Sequence, residues 1–228
     1  MKLAVILPAF NEENTILKVV NSIPRTFVGV RDVRVIVVDD ASHDQTFERA
    51  REAGATVLRH VVNLGQGAAV LTGIHAAKRL GANLVVTLDS DGQHDPSDIG
   101  ALLEELFTNQ ADFVVGSRFL SETINEMPSL KWYGNKVMNG ITYMFSGRMM
   151  TDSQSGFRLF GGRVLELIDS FNMRGYEFCS ETIVRARQLN LKVSEVPIKT
   201  IYFDHRQGQN PINGINILLR LIYRKVAG

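Results

Sequence analysis

Cysteine is almost missing from this chain. Cys179 stands alone among 228 residues, so no internal disulfide framework can form, and the chain suits a reducing compartment. A lone thiol with no basic partner in its own segment reads as a small buried hydrophobe rather than a nucleophile. An excess of charge is missing too: 25 Lys and Arg stand against 24 Asp and Glu, a net of +1 with the signs interspersed. That removes the global field carried by nucleic-acid binders, so no nucleic-acid partner is expected. No apolar run approaches the roughly 20 residues that span a bilayer. The start, Met1-Lys-Leu-Ala-Val-Ile-Leu-Pro8, is too short for a signal peptide and has no cleavage pattern. The expectation is a cytoplasmic chain, or one lying on a membrane without crossing it. Repeats, low-complexity segments and linkers are also absent, so 1–228 is expected to form a single domain. Its composition, 45% apolar and 21% charged, is that of an ordinary globular protein.

What is present is an alternation of short apolar runs and helical patterns. Leu3 to Leu7 reads as a buried strand stopped by Pro8, followed by a helix of about Glu13 to Ile23 with Ile16, Val19, Val20 and Ile23 on one face. Val33 to Val38 is a strand ending in Asp39-Asp40-Ala41-Ser42, then comes a helix of about Gln45 to Glu52 and a short strand, Thr56 to Arg59. Asn63-Leu-Gly-Gln-Gly-Ala68 opens a helix ending near Gly81, Leu84 to Leu88 is a strand, and Asp95-Pro96 starts another helix. Phe113 to Val115 runs into Gly116-Ser117-Arg118-Phe119. Strand–helix alternation of this kind predicts a mostly parallel, Rossmann-like α/β sheet with helices on both faces. Ligands of such sheets bind beyond the carboxyl ends of the strands, and there the polar clusters gather on one rim.

Beyond Met127 the pattern changes. Leu130 to Phe145 is helical in type and mixes Trp132, Tyr133, Met138, Tyr143, Met144 and Phe145 with Lys131 and Lys136. A loop, Thr151-Asp-Ser-Gln-Ser-Gly-Phe-Arg158, leads to a strand end at Leu159-Phe160, and a helix runs from the Gly175–Glu181 stretch to about Leu189. Lys192 to Pro197 and Lys199 to Phe203 read as strands, and Asn213 to Val226 is an amphipathic tail. Apolar side chains interleaved with Lys and Arg are what interfacial helices carry. Packing of each apolar face on the sheet is the plainer reading.

The centre of the pattern is Asp89-Ser-Asp-Gly-Gln93, directly after a strand. Carboxylates at i and i+2 on a regular strand point to opposite faces, so they converge only if the strand ends and the chain turns, as Gly92 permits. Asp89, Asp91 and the Gln93 amide oxygen would then suit a hard divalent cation, Mg2+ or Mn2+, completed by water and substrate phosphate. The alternative is a solvated Asp-rich turn.

Six segments in this order, Pro8-Ala-Phe-Asn-Glu-Glu13, Val38-Asp-Asp-Ala-Ser42, Asn63-Leu-Gly-Gln-Gly67, Asp89-Ser-Asp-Gly-Gln93, Gly116-Ser-Arg118 and Ser155-Gly-Phe-Arg158, resemble an inverting family 2 glycosyltransferase of GT-A fold, of the dolichyl-phosphate mannose synthase type. The resemblance covers about residues 3 to 206. It implies a nucleotide-binding half of about 1–118 and an acceptor-binding half of about 119–228. By that resemblance Pro8, Ala9, Asn11 and Glu12 line the nucleotide pocket, with Glu12 on ribose hydroxyls and Asp40 on the base, while Asp39 is structural. Gly65, Gly67, Asp89 and Ser90 approach the donor, Gln66 stands where many relatives have Lys, and Asp89, Asp91 and Gln93 hold the metal.

The implied acceptor is a polyprenyl or dolichyl phosphate, largely dianionic near neutral pH because its second pKa is about 6. It would attack the sugar directly, so the site needs cations rather than a strong base. Arg118 is the first candidate, with Lys131, Asn135 and Arg206 completing the cradle and His205 incidental. Asp152 stands where relatives acting on hydroxyl acceptors place a base, and here it would orient cations or sugar. Gln154, Ser155 and Gly156 form the sugar-facing loop, and Glu177 and Glu181 contact the sugar or pair with Arg158. The chain stops at Lys225-Val-Ala-Gly228 without the membrane-spanning helices that members often add, which implies a monotopic enzyme at the cytoplasmic face or a shortened chain. The runner-up is a soluble family 2 enzyme acting on a saccharide or protein hydroxyl with Asp152 as base. A nucleotidyltransferase would show a Gly-rich, basic loop after the first strand, which Pro8-Ala-Phe-Asn11 is not. A binding subunit without chemistry is the non-enzyme alternative.

Overall fold

A computed structural model describes residues 1–122, 127, 129–171 and 178–201, apart from the side chains of 130 and 131. Its first half alternates β1 (Lys2–Ala9), α1 (Ile16–Ser22), β2 (Asp32–Asp39), α2 (Thr46–Glu52), β3 (Thr56–Arg59), α3 (Gln66–Arg79), β4 (Leu84–Thr87), α4 (Ile99–Thr108) and β5 (Phe113–Ser117). The second half adds α5 (Ser129–Ser146), β6 (Arg158–Phe160), α6 (Gly162–Leu167), α7 (Phe178–Gln188) and β7 (Val193–Pro197).

Seven strands form one sheet in the order β3-β2-β1-β4-β6-β5-β7. The strands are parallel except β6, which runs antiparallel to both β4 and β5. The apolar runs follow from burial on both faces. Leu3, Val5 and Leu7 pack with α1 and α4 residues such as Ile16, Val20, Ile99 and Leu102. Ala4 and Ile6 join Val70 and Ile74 of α3, Val164 of α6 and Ile183 of α7. A Cβ on Gly73 would come within 2.4 Å of Ile6 Cγ2, so a side chain there would push α3 off β1.

The antiparallel β6 is what builds the site. Arg158 enters the sheet opposite Thr87 and Val115, so the loop before it is delivered to the carboxyl ends of β4 and β5. The strand expected over Lys199–Phe203 is corrected over its described part. Thr200 makes only an isolated bridge to His94, because the Lys199 N–H goes to the Asp98 carboxylate and the Ile201 N–H to the Gln93 carbonyl. Residues 202 and 203, and the amphipathic tail, lie outside the described residues. Helix α6 was not anticipated, since a six-residue element is too short to show a period.

Helix α5 is inverted relative to an ordinary core helix. Asn139, Thr142 and Ser146 are buried, whereas Tyr133, Val137 and Met144 are more than 60% exposed. Its inward face is polar because it holds a loop rather than a sheet: Asn139 donates to Thr151 O at 2.6 Å and accepts from Ser153 N and Oγ at 2.8 and 2.7 Å. Among the described residues no helix is long and apolar enough to cross a membrane.

Candidate active site

A cavity of about 250 Å³ opens at the carboxyl ends of β1, β2 and β4. Pro8, Ala9, Glu12, Asp40, Gly65, Gln66, Asp89, Ser90 and Asp91 line it, as do Phe10, Asn63 and Ala69, to which the sequence reading gave no role. Asn11, Gly67 and Gln93 lie outside the lining. Asn11 instead ties two loops together, with its N–H donating to Ser42 Oγ and its Oδ1 accepting from His43 N. Its φ of 57° is in the left-handed region, which Asn tolerates best after Gly.

Asp40 braces the loop leading into α3. Its Oδ1 accepts from Leu64 N at 2.9 Å and meets His60 Nδ1 at 2.6 Å, and its Oδ2 accepts from Gly65 N at 2.7 Å. Asp39 is buried, accepting from Ser42 N and paired with Arg59 at 3.1 Å, a structural arrangement.

Asp89 sits at the junction of both halves of the chain. Gln66 Nε2 donates to its Oδ1 at 2.9 Å, and His94 Nε2 lies 3.3 Å from its Oδ2. Gly156 is beneath it: a Cβ there would fall 2.5 and 2.7 Å from the two carboxylate oxygens. Burial alone would raise the Asp89 carboxyl, but the His94 ring, Arg118 and Arg158 outweigh it and hold the group below the usual range. Asp91 closes its own turn by accepting from Gln93 N at 2.9 Å. Glu12 titrates above the ordinary range, because of burial first and then repulsion from Asp91, Asp44 and Asp89, despite a bond from Thr15 Oγ1. Glu12, Asp40, Asp89 and Asp91 thus make a cavity rich in carboxylates, which fits a hard cation sharing its shell with water and phosphate. Among the described residues no three Asp, Glu, His or Cys side chains close a complete metal cage.

Across the β4–β5 ends, Arg118 and the buried Asp152 form a partly buried fork. The Arg118 backbone N–H and Nε donate to Asp152 Oδ2 at 3.1 and 2.7 Å, and Nη2 donates to Oδ1 at 2.9 Å. Asn135 Oδ1 accepts from the same Nη2 at 3.3 Å. Asp152 has no exposed surface. Burial would raise its carboxyl, yet the charge and hydrogen bonds of Arg118 hold it below the usual range. Gln154 turns its amide to Ser153 and Ser180.

Arg158 is fully buried between the Phe113 and Phe178 rings, each 5.5 Å from its Cζ. Its N–H groups reach Ser155 O, Ser153 O, Cys179 O and Thr182 Oγ1, none of them a carboxylate. Of the two roles expected for Glu181, sugar contact or a pair with Arg158, the pair is corrected, because backbone carbonyls and the Thr182 hydroxyl occupy the guanidinium. Burial pushes the Cys179 thiol up, as expected for an inert core cysteine. The Lys131 side chain, Glu177, His205 and Arg206 lie outside the described residues. His94, Asn139 and Glu195 are site-building residues that sequence reasoning missed. Only His94, next to the Asp89–Gln93 motif, had a positional signal.

This fold and rim define a GT-A glycosyltransferase. A model of glycosyl transferase family 2 matches residues 4–165, and the chain belongs to that family. It is 34% identical to UDP-N-acetylglucosamine–dolichyl-phosphate N-acetylglucosaminyltransferase of Methanococcus voltae, over 97% of this chain and 95% of that one. It is 30% identical to polyprenol monophosphomannose synthase of Mycolicibacterium smegmatis, over 93% and 82%. The fold matches glucosyl-3-phosphoglycerate synthase of Mycobacterium tuberculosis, solved with Mn2+ and UDP, at a TM-score of 0.73 and 21% identity, covering 99% of this chain and 79% of that one.

Proposed function

We propose that this enzyme transfers a hexose or N-acetylhexosamine from a nucleoside diphosphate sugar to a polyprenyl or dolichyl phosphate, with inversion and with Mg2+ or Mn2+. The single observation that carries the reading is the state of Asp152. A general base must reach the acceptor proton and have affinity for it, whereas this carboxylate is buried, doubly held by Arg118 and depressed in pKa. A site without that base suits an acceptor that arrives ionised, as a phosphate monoester does. The names of the Methanococcus and Mycolicibacterium relatives support the same acceptor class.

In this mechanism an acceptor phosphate oxygen attacks the anomeric carbon from the face opposite the donor diphosphate. One C–O bond forms as another breaks, and the electron pair leaves with the nucleoside diphosphate. Pro8, Ala9, Glu12 and Ser90 line the donor side, with Asn11 and Asp40 bracing its loops. Asp89 and Asp91, with the Gln93 amide, would hold the cation, which supplies neutralisation of charge on the leaving diphosphate. Arg118, oriented by Asp152 and Asn135, faces the acceptor phosphate, with Lys131 and Arg206 assigned to the same cradle. Gln154, Ser155, Gly156 and Glu177 form the sugar side.

The exposed stripe of Tyr133, Val137 and Met144 on α5, with exposed Lys136 next to it, supports seating on a membrane surface, where the acceptor resides. The test is transfer of radiolabel from GDP-mannose, UDP-glucose and UDP-N-acetylglucosamine into organic-extractable dolichyl phosphate, with Mg2+, Mn2+ or EDTA. Metal-dependent label in the organic phase from one donor is the expected result. Transfer only into water-soluble acceptors would overturn it.

A further inference from the structure

One carboxylate outside the catalytic set sits where it can govern the Arg118–Asp152 fork. Glu195 lies on β7, opposite Val115 in the parallel ladder. Its Oε1 accepts from Thr151 N at 3.0 Å, Thr151 Oγ1 at 2.8 Å and Asp152 N at 3.0 Å, and its Oε2 accepts from Thr151 N at 2.9 Å. Two successive backbone N–H groups and a hydroxyl therefore converge on one anion from a chain segment more than 40 residues away. Such a cradle of consecutive N–H groups orients a loop around a negative charge.

The acceptor-only nature of a carboxylate also fixes the direction of a relay. Thr151 must spend its hydroxyl proton on Glu195, so in its 2.7 Å contact with Ser117 Oγ it accepts. Ser117 has then committed its own proton, and its oxygen accepts from Phe119 N at 3.2 Å. The chain Phe119 N–H, Ser117 O–H, Thr151 O–H, Glu195 runs one way only. Glu195 thus holds Asp152 from its N-terminal side and, through two hydroxyls, the turn that carries Arg118.

We propose that Glu195 is a positioning residue for acceptor phosphate transfer, setting the Arg118–Asp152 fork from the far strand; this rests on the function proposed above. Asp152 and Arg118 touch each other directly. Glu195 touches neither side chain and acts through the Thr151–Asp152 backbone and the Ser117 hydroxyl.

The test combines Glu195→Ala, Glu195→Gln and Thr151→Val in the full chain. Glu195→Ala is expected to bind UDP with Mn2+ as wild type does by calorimetry, and to lose about 100-fold in kcat, the scale of a misplacement of about 1 Å. Glu195→Gln keeps an oxygen for the three bonds now made to Oε1 and should return to within about tenfold of wild type, the cost of one weakened hydrogen bond. Parallel loss of UDP affinity and kcat in Glu195→Ala would mark a merely structural role and overturn the proposal, as would a kcat near wild type. If Glu195→Ala does not fold, Thr151→Val cuts the relay while sparing the backbone bonds, and an unchanged kcat overturns the proposal.

A second readout needs no substrate. The Arg118 Nε–H resonance should exchange slowly with solvent in wild type and rapidly in Glu195→Ala, and equal exchange in both refutes the positioning role. Absence of lipid product from wild type sinks the proposed function instead, and the Nε–H measurement still decides for or against Glu195.

Discussion

Replacing Asp152 by Asn separates an orienting carboxylate from a catalytic base. In the folded protein Asp152 accepts from the Arg118 N, Nε and Nη2 and from Gln154 N at 2.7 to 3.3 Å. Removing one partner of a buried ion pair costs about 3–5 kcal/mol, since the other charge is left uncompensated. The Arg118 side chain retains 17% exposure and can relax toward water, so the lower end, about 3 kcal/mol, is expected. At about 2–4 °C per kcal/mol for a chain of this length, Tm should fall by about 6–12 °C. The folded-state pKa of Asp152 is depressed, so its stabilisation is fully present above the unfolded value of about 3.9 and is lost as pH falls through the lower folded value. The wild-type–variant gap in urea denaturation should hence stay constant from pH 6 to 8 and close only in acid. In transfer assays the variant should be slower yet keep the rise in rate near the acceptor phosphate pKa of about 6. A variant as stable as wild type, or loss of a pH limb that wild type shows, would refute the reasoning and restore Asp152 as a base.

Gly156→Ala places a methyl 2.5 Å from Asp89 Oδ1; Mn2+ affinity, measured by calorimetry with UDP, should weaken about 10–100-fold, as when a supporting contact of a metal ligand is removed. Glu12 ionises late in the folded state, so folding loses stability as pH rises from the unfolded value through the raised folded one. Glu12→Gln should therefore gain in Tm over wild type at pH 8 and show no gain at pH 4, and an equal gain at both would exclude the electrostatic cause. Asp40→Ala leaves Leu64 N, Gly65 N and His60 without their acceptor and should cost about 3 kcal/mol in urea denaturation, at about 1.5–3 kcal/mol for each bond to a charged group with incomplete additivity. Arg158→Met removes the donor from four buried oxygens and should destabilise by about 3–5 kcal/mol, at about 1–3 kcal/mol for each buried acceptor left unsatisfied and with incomplete additivity; equal stability by denaturation would show that the loop carbonyls find other partners.

The first half of the fold was legible because its signals are local. The Thr56–Arg59 strand matches the structure at both ends, β4 and β5 begin where expected, and no end of β1, β2, β4 or β5 is off by more than two residues. The latter four each hold a continuous buried run closed by a polar cluster, as a doubly covered strand requires. The strand end at Leu159–Phe160 was legible and is β6, but its antiparallel direction was not, since its partners β4 and β5 are set by topology. The inverted burial of α5 was hidden for a related reason: Asn139 and Thr142 look like surface residues until the Ser153 loop is packed on them. Glu195 in a strand reads as a solvent-facing acid, because its partners lie 43 and 44 residues earlier.

The two sides of the rim manage charge in opposite ways, and their junction is a glycine. On one side four carboxylates line one cavity, and the Glu12 carboxyl there is raised by burial first and then by repulsion from neighbours that include Asp91 and Asp89. On the function proposed above, such a cavity would take a diphosphate together with a cation, and that accounts for its acidity. Across the rim the cations are already clamped, Arg118 by a carboxylate and Arg158 by carbonyls and rings. Clamping fixes their direction while leaving their charge, which adds to the stronger effect of His94 in holding the Asp89 carboxyl low against its burial. Gly156 lets that influence act at short range, because only a residue without a side chain allows Asp89 to rest against the loop that Arg158 holds. The Asp89 carboxylate and the loop that Arg158 holds are therefore one mechanical unit, and a change on either side of Gly156 should be felt on the other.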